Sequence, residues 1–326
     1  MALKVLFIGG TGVISSACSD LALQRGIDLT LFTRGNSTRP APPGAKLVLG
    51  DINQPGDILG LVDGGQFDAV VNWVVYTPDQ AQRDIDLFGG KVGQYIFISS
   101  ASAYQKPVPQ LPITEETPLG NPIWAYSQAK QACEELLFQA YESSGFPVTV
   151  VRPSHTYDKT LLPFHGGYTV LDRIIQGKPV IIHGDGTSLW VLTHHRDFAR
   201  GFLGLLGQEQ AIGEAYQITS DELLSWNGIF QSIADAAGAD LHPVHIPSDI
   251  IARADTIWGD SLLGDKAHSV VFDNSKIKAL VPDFKAEIPY QEGCRETVRW
   301  YLDHPEQGIV NQDLDSLMDQ LISRWQ

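Results

Sequence analysis

The stretch Lys4-Val5-Leu6-Phe7-Ile8-Gly9-Gly10-Thr11-Gly12-Val13-Ile14-Ser15 decides the fold. A short apolar run ends in glycines, and helical periodicity follows over Ser16–Arg25 before Gly26. Strand, tight turn and helix in this order are the context that a dinucleotide loop needs. A plain glycine turn gives the same glycines, but not the strand before them and the helix after. Gly9 permits the tight turn. Gly12 lets the backbone approach a pyrophosphate, which settles where free N–H groups and the helix dipole favour an anion. Thr11, Val13 and Ile14 complete the predicted cofactor contacts of this loop. Ser15 holds the place of the usual third glycine, where a small residue allows close helix-on-strand packing.

Working outward, further short apolar runs predict strands at Asp28–Thr33, Lys46–Leu49, Ala69–Val75, Tyr95–Ser99 and Pro147–Arg152, the last after a helix over Tyr126–Tyr141. Continuous apolar runs suit parallel strands covered on both faces. Their alternation with helical segments predicts right-handed βαβ units. The expected fold is α/β, a Rossmann-type doubly wound parallel sheet with a smaller, interleaved C-terminal substrate lobe. Asp197–Leu206 reads as a helix, Glu214–Thr219 as a strand able to rejoin the sheet, and Trp226–Ala237 as an amphipathic helix. Residues 1–152 with 186–220 are assigned to the dinucleotide-binding domain. Residues 153–185 with 221–326 are assigned to the substrate lobe.

The chain has 326 residues, 43% of them apolar and 19% charged, which excludes a disordered or fibrous protein. Its apolar stretches are too short for a bilayer, which needs roughly 20 residues. The formal net charge of −15 disfavours nucleic acid, whose binding comes mostly from neutralising phosphates with Lys and Arg. A small anionic ligand needs only a local basic pocket. Cys18, Cys133 and Cys294 have no zinc-type spacing, and three thiols cannot all pair, which favours a reducing cytoplasm. Met1–Cys18 imitates a secretory leader, but Gly9, Gly10 and Gly12 interrupt its apolar run and Ser15 is a poor residue three before the cysteine.

The end of the second strand selects the cofactor. An acidic residue there normally binds the adenosine ribose of NAD. This chain has Thr33-Arg34, then Ser37, Thr38 and Arg39. No carboxylate repels a 2′-phosphate, and Arg34 is able to grip one in bidentate fashion. NADP is therefore favoured, with NAD the alternative; Arg34 stacked on adenine or facing solvent is the plainer reading. Asp51-Ile52, after the third strand, is placed to meet the adenine edge.

Tyr126 and Lys130 are spaced i and i+4, on one helix face. An ammonium near a phenol favours the phenolate and lowers the pKa from about 10, making the tyrosine a general acid and base near neutrality. In isolation the pair is common and reads equally as a surface contact. Ser99-Ser100-Ala101-Ser102-Ala103-Tyr104 adds context, because it ends the fifth strand at the edge where doubly wound sheets bind ligands.

With these motifs in order, the sequence resembles the extended short-chain dehydrogenase/reductase superfamily, in its NAD-dependent epimerase/dehydratase branch. The resemblance rests on Gly9–Ser15, Asp51-Ile52, Ser99–Tyr104, Tyr126–Lys130, Arg152–Tyr157, and Gly184-Asp185-Gly186 leading to Arg196-Asp197-Phe198-Ala199. It implies a catalytic triad of Ser100, Tyr126 and Lys130. It places Ser99, Pro153 and His155 along the cofactor and gives Lys130 a second role on the ribose.

Three departures from the family pattern narrow this reading. Family dehydratases carry an Asp-Glu pair after the catalytic serine or threonine, where this chain has Ala101-Ser102. That favours epimerisation or simple redox and disfavours 4,6-dehydration. Trp190 stands where sugar-nucleotide enzymes place a diphosphate-gripping arginine, so either Arg253 or Arg295 compensates or the substrate lacks a diphosphate. Trp73 replaces a small residue after the fourth strand and is expected to narrow the site.

His194 and His195 are expected to point to opposite sides, and no metal site is predicted. His155 reads equally as a substrate contact or a hydrogen-bonded structural histidine. The expected function is an NAD(P)-dependent epimerase or oxidoreductase moving hydride at a secondary alcohol or ketone of a sugar derivative, nucleotide-linked or free. The alternatives are a ketoreductase of a non-sugar small molecule and a non-catalytic nucleotide- or RNA-binding relative. The expected partner is a small-molecule substrate, with no nucleic acid, no membrane and a homodimer left open.

Overall fold

The computed structural model describes residues 2–64 and 67–325. Its central sheet has seven strands, all paired in parallel. They are β1 (Lys4–Ile8), β2 (Asp28–Thr33), β3 (Lys46–Leu49), β4 (Phe67–Asn72), β5 (Val92–Ile98), β6 (Val148–Pro153) and the strand Glu214–Ile218. Across the sheet they run Glu214–Ile218, β6, β5, β4, β1, β2, β3. The order reverses between β1 and β4, and that switch point opens a crevice at the carboxyl ends of the strands.

Both faces of the sheet are buried, as its unbroken apolar strands require. Val5 and Phe7 of β1 face one core, while Leu6 and Ile8 face the other. On the first face lie α1 (Val13–Gln24) and the helix His195–Leu203. The second is covered by α2 (Pro55–Gly64), α3 (Pro78–Phe88) and α4 (Ala125–Ser144). Gly145, at φ 72°, ends α4 in the left-handed conformation that only glycine adopts without strain.

β4 stops at Asn72, short of the expected Val75. The Asn72 side-chain oxygen accepts the Val74 N–H at 3.0 Å, turning the chain out of the sheet. A third core holds the helices Trp226–Ala237 and Tyr290–Asp303 and the parallel pair Val180–His183 with Pro243–Ile246. Ala101, Tyr104 and Ile113 join this third core, whereas Ile277, Val281 and Phe284 pack on the first face of the sheet. No described helix is long and apolar enough to cross a membrane.

Candidate active site

A cavity of about 580 Å³ lies at the switch point. The glycine loop forms its floor, and the end of β5, the start of α4, the end of β6 and residues 265–272 supply its walls. Gly9 and Gly10 have φ of 100° and 106°. A Cβ on Gly10 would meet the Leu31 side chain at 2.7 Å, so the cradle admits no side chain there. Thr11, Gly12, Val13 and Ile14 border the cavity at the start of α1, where first-turn N–H groups have no helical acceptor. This geometry fits a dinucleotide pyrophosphate. Ser15 does more than leave room, because its hydroxyl accepts the Gly12 N–H at 2.8 Å. That donor is thereby withdrawn from the ligand.

Tyr126 and Ser100 both line the cavity, and desolvation, partly offset by Ser100, pushes the Tyr126 phenol up to about 12. Ser100 belongs to a chain of hydroxyls. Ser127 donates to Ser102 at 2.7 Å, and Ser102 lies 2.9 Å from Ser100. The Ser102 backbone N–H also donates to the Ser100 oxygen, at 3.2 Å. With the Ser102 N–H donating to it, and the Ser102 hydroxyl oriented the same way, Ser100 keeps its own proton for an oxygen in the cavity.

Lys130 does not reach the Tyr126 hydroxyl. Its ammonium lies 5.7 Å from the Tyr126 ring centre and donates to the carbonyls of Val75 (2.6 Å) and Ile98 (2.8 Å). It clamps the turn after β4 to the end of β5, and one of its three donors stays available. Burial pushes its pKa down to about 8. The expected acidified Tyr126 is thus corrected for the chain by itself: desolvation of the phenol outweighs the distant ammonium.

Ser99 lines the cavity but donates its hydroxyl to Glu134. Glu134 is buried in an ion pair with Arg152 at 2.6 Å. Asn121, which the sequence reading missed, links three parts of the site. Its amide nitrogen donates to the carbonyls of Ser102 (3.1 Å) and Gly264 (2.6 Å), and its oxygen accepts the Trp124 N–H at 2.9 Å, just before α4.

Thr33, Arg34, Arg39, Asp51 and Ile52 lie outside this cavity, along the carboxyl edge of β2 and β3. Arg34 is exposed, while the Thr33 hydroxyl accepts the Gly35 N–H at 3.0 Å. Asp51 accepts two hydrogen bonds from Asn53, each at 3.0 Å, and Ile52 is buried. Arg39, expected on the cofactor, instead pairs with Asp158 at 2.8 Å and donates to Thr160. Asp158 is a buried carboxylate that needs a counter-charge, and it captures the guanidinium.

Pro153 and His155 border the cavity. Burial, aided by the charge of Lys266, pushes His155 down to about 3, so its ring is neutral at physiological pH. Trp190 walls the same end, buried, with its indole N–H unpartnered. Neither arginine offered as compensation lines the cavity. Arg253 is exposed and pairs with Asp249. Besides Lys130, the cavity is lined by the basic Lys266, whose ammonium lies 5.1 Å from the Trp124 ring centre and 5.9 Å from that of Trp190.

Trp73 lines the cavity, with its ring packed on Phe7 and Phe202 beneath the glycine loop. The rings of His194 and His195 do not diverge. Their centres lie 4.8 Å apart, because a strand ends and a helix begins between them. Among the described residues, no three His, Cys, Asp or Glu side chains gather as metal ligands.

Comparison with known proteins agrees with this architecture. The chloroplast stem-loop binding protein of 41 kDa b from Arabidopsis thaliana is 27% identical over 254 residues, covering 72% of this chain but 63% of that protein. The 2′-dehydrokanamycin reductase of Streptomyces kanamyceticus is 24% identical over 289 residues, covering 87% and 80% of the two chains. Epimerases and dehydratases of nucleotide sugars are also among the relatives. The solved structure of epimerase Mth375 from Methanothermobacter thermautotrophicus superposes with a TM-score of 0.76 at 17% identity, over 94% of each chain, and so shares the fold. The family model for the NAD dependent epimerase/dehydratase family matches residues 5–219. With cradle, sheet order and sequence match in agreement, the chain belongs to the NAD dependent epimerase/dehydratase family.

Proposed function

We propose that this protein is a nicotinamide-dependent epimerase or oxidoreductase acting on a secondary alcohol, or its ketone, of a sugar or sugar derivative. The observation that carries this reading is that Tyr126 and Ser100 line one cavity with the glycine cradle. A nicotinamide held there supplies the acceptor and donor of hydride. Tyr126 takes the hydroxyl proton, or returns it, at its phenolic oxygen. Ser100 donates to the same substrate oxygen, held as a donor by Ser102 and Ser127. Lys130 offers its remaining N–H towards the cofactor ribose. Thr33 and Arg34 favour NADP over NAD, because they place no carboxylate against a 2′-phosphate.

The same geometry disfavours 4,6-dehydration. Expelling a neighbouring hydroxyl needs an acid and a base within hydrogen-bond reach. Ala101 supplies neither, and the Ser102 hydroxyl is bonded within the serine chain. Asp158 is paired with Arg39. The net charge of −15 weighs against RNA, despite the name of the Arabidopsis relative.

The test incubates the protein with UDP-glucose, dTDP-glucose and uncharged sugars, with NAD or NADP, and follows products by mass spectrometry and nicotinamide absorbance. Epimers or a keto product support the reading. A 4-keto-6-deoxy product refutes the exclusion of dehydration. Salt-sensitive RNA retention with no nicotinamide binding refutes the whole.

A further inference from the structure

One carboxylate of the cavity has no part in the hydride chemistry. Asp265 lines the cavity, and its side chain is 10% exposed. Its Oδ1 lies 3.0 Å from the ammonium of Lys106, whose side chain is 1% exposed and is not part of the cavity wall. The cation stands behind and the anion in front. A buried ammonium needs a counter-charge, which keeps Asp265 a carboxylate. A carboxylate only accepts hydrogen bonds, and among the described residues no N–H or O–H donates to its Oδ2. It presents an unused acceptor to the cavity.

That acceptor is held in place by separate segments. The Asn121 amide donates to the Gly264 carbonyl at 2.6 Å, and the Lys106 backbone N–H donates to the Gly120 carbonyl at 2.9 Å. A Cβ on Gly264 would lie 2.8 Å from the Trp124 Cβ, so glycine lets the turn before Asp265 close on the start of α4. The Trp124 ring lies 5.1 Å from the Tyr126 ring. Desolvation dominates the raised pKa of the Tyr126 phenol, and the negative charge of Asp265 adds to it, so the carboxylate acts on the acid/base oxygen within the same space. Lys130 and Lys266 also line the cavity. Their charges oppose an ammonium ligand there, and the donor that fits Asp265 is a neutral hydroxyl.

We propose that Asp265, backed by Lys106, is a specificity-determining residue that accepts a hydrogen bond from a substrate hydroxyl next to the reacting carbon. The site then selects a vicinal diol or an α-hydroxy ketone over a lone alcohol or ketone. A substrate without that hydroxyl leaves a desolvated carboxylate with no donor, and this discriminates more strongly than apolar contact does. The proposal rests on the reading of the cavity as a nicotinamide and sugar site, and it adds which feature of the sugar is read and by which residue.

The experiment titrates the NADH- or NADPH-saturated protein with cis-1,2-cyclohexanediol and with cyclohexanol, followed by ligand-observed NMR. The reduced cofactor keeps both alcohols from reacting. Wild type binds the diol more tightly than cyclohexanol by roughly tenfold to a hundredfold, the range of a hydrogen bond to a charged group. In Lys106→Met/Asp265→Leu, which removes both charges together, the two affinities come within a few-fold of each other. Asp265→Asn, which keeps the shape and removes the charge, weakens the diol severalfold and tests the same point should the double variant fail to fold. A diol bound no more tightly than cyclohexanol by wild type, or an undiminished preference in the variants, overturns the proposal and leaves the functional reading standing. Failure to hold either dinucleotide overturns both.

Discussion

Replacing Lys130 with Met tests whether the ammonium behind Tyr126 is desolvated as the structure shows. Lys130 is 3% exposed, and its direct polar contacts among the described residues are the carbonyls of Val75 and Ile98. Burial pushes its pKa from 10.5 to about 8. Between those values the unfolded chain keeps a proton that the folded chain has released. Stability of the wild type therefore rises with pH through this window, relative to a variant with no titrating group. The shift corresponds to a penalty of about 3 kcal/mol, fully present at pH 7 and mostly gone at pH 10.5. A neutral amine still donates to the two carbonyls, so those bonds change the absolute difference more than its slope. Urea denaturation of both proteins from pH 7 to 10.5, at unchanged m, gives the difference directly. Wild type gains about 3 kcal/mol on Lys130→Met across this range. A difference that stays flat would falsify the assigned desolvation and mean that water reaches the ammonium.

Tyr126→Phe is expected to abolish turnover while leaving dinucleotide affinity within a few-fold, because only the acid/base oxygen is lost; wild-type-like turnover would mean that the active site is misplaced. Arg34→Ala should reduce the preference for NADP by about 1–3 kcal/mol in calorimetry, the scale of a charge-assisted contact. Arg39→Ala should leave that preference unchanged, since Asp158 and Thr160 already hold its guanidinium; equal or tighter NAD binding by wild type rejects the inference from Arg34. Burial pushes His183 and His194 down to about 4 and about 3, so both rings should stay neutral through pH 5 in histidine NMR titrations. Each should withdraw about 2 kcal/mol of stability by pH 5, as the unfolded chain gains protons that the folded chain refuses; a midpoint near 6.5 for either ring would refute its burial as a neutral group.

The sequence determined what short-range rules control. An apolar run before Gly9 makes a strand, the glycines make the turn, and the i, i+4 spacing places Tyr126 and Lys130 on one face. These features depend on backbone conformation and periodicity within a dozen residues, so they are legible without knowing what lies opposite. The bounds of β2 and β3, and the existence of a strand at residues 214–218, follow from the same rules, whereas its pairing beside β6 is set by the tertiary structure.

Only the tertiary structure decided which polar groups face each other. Arg39 reads as a cofactor ligand until Asp158 and Thr160, far along the chain, capture it. Asn121 reads as a loop residue until it spans Ser102 and Gly264. Lys266 has no motif around it and becomes a second lysine of the cavity, beside Lys130, only because Trp124 and Trp190 close on it from separate segments. Partners so distant in sequence carry no local periodicity, and the affinity of a buried charge depends on what folding leaves beside it. For the same reason the spacing of Tyr126 and Lys130 was legible in the sequence, whereas the acidity of the Tyr126 phenol was not, because desolvation by distant segments sets it.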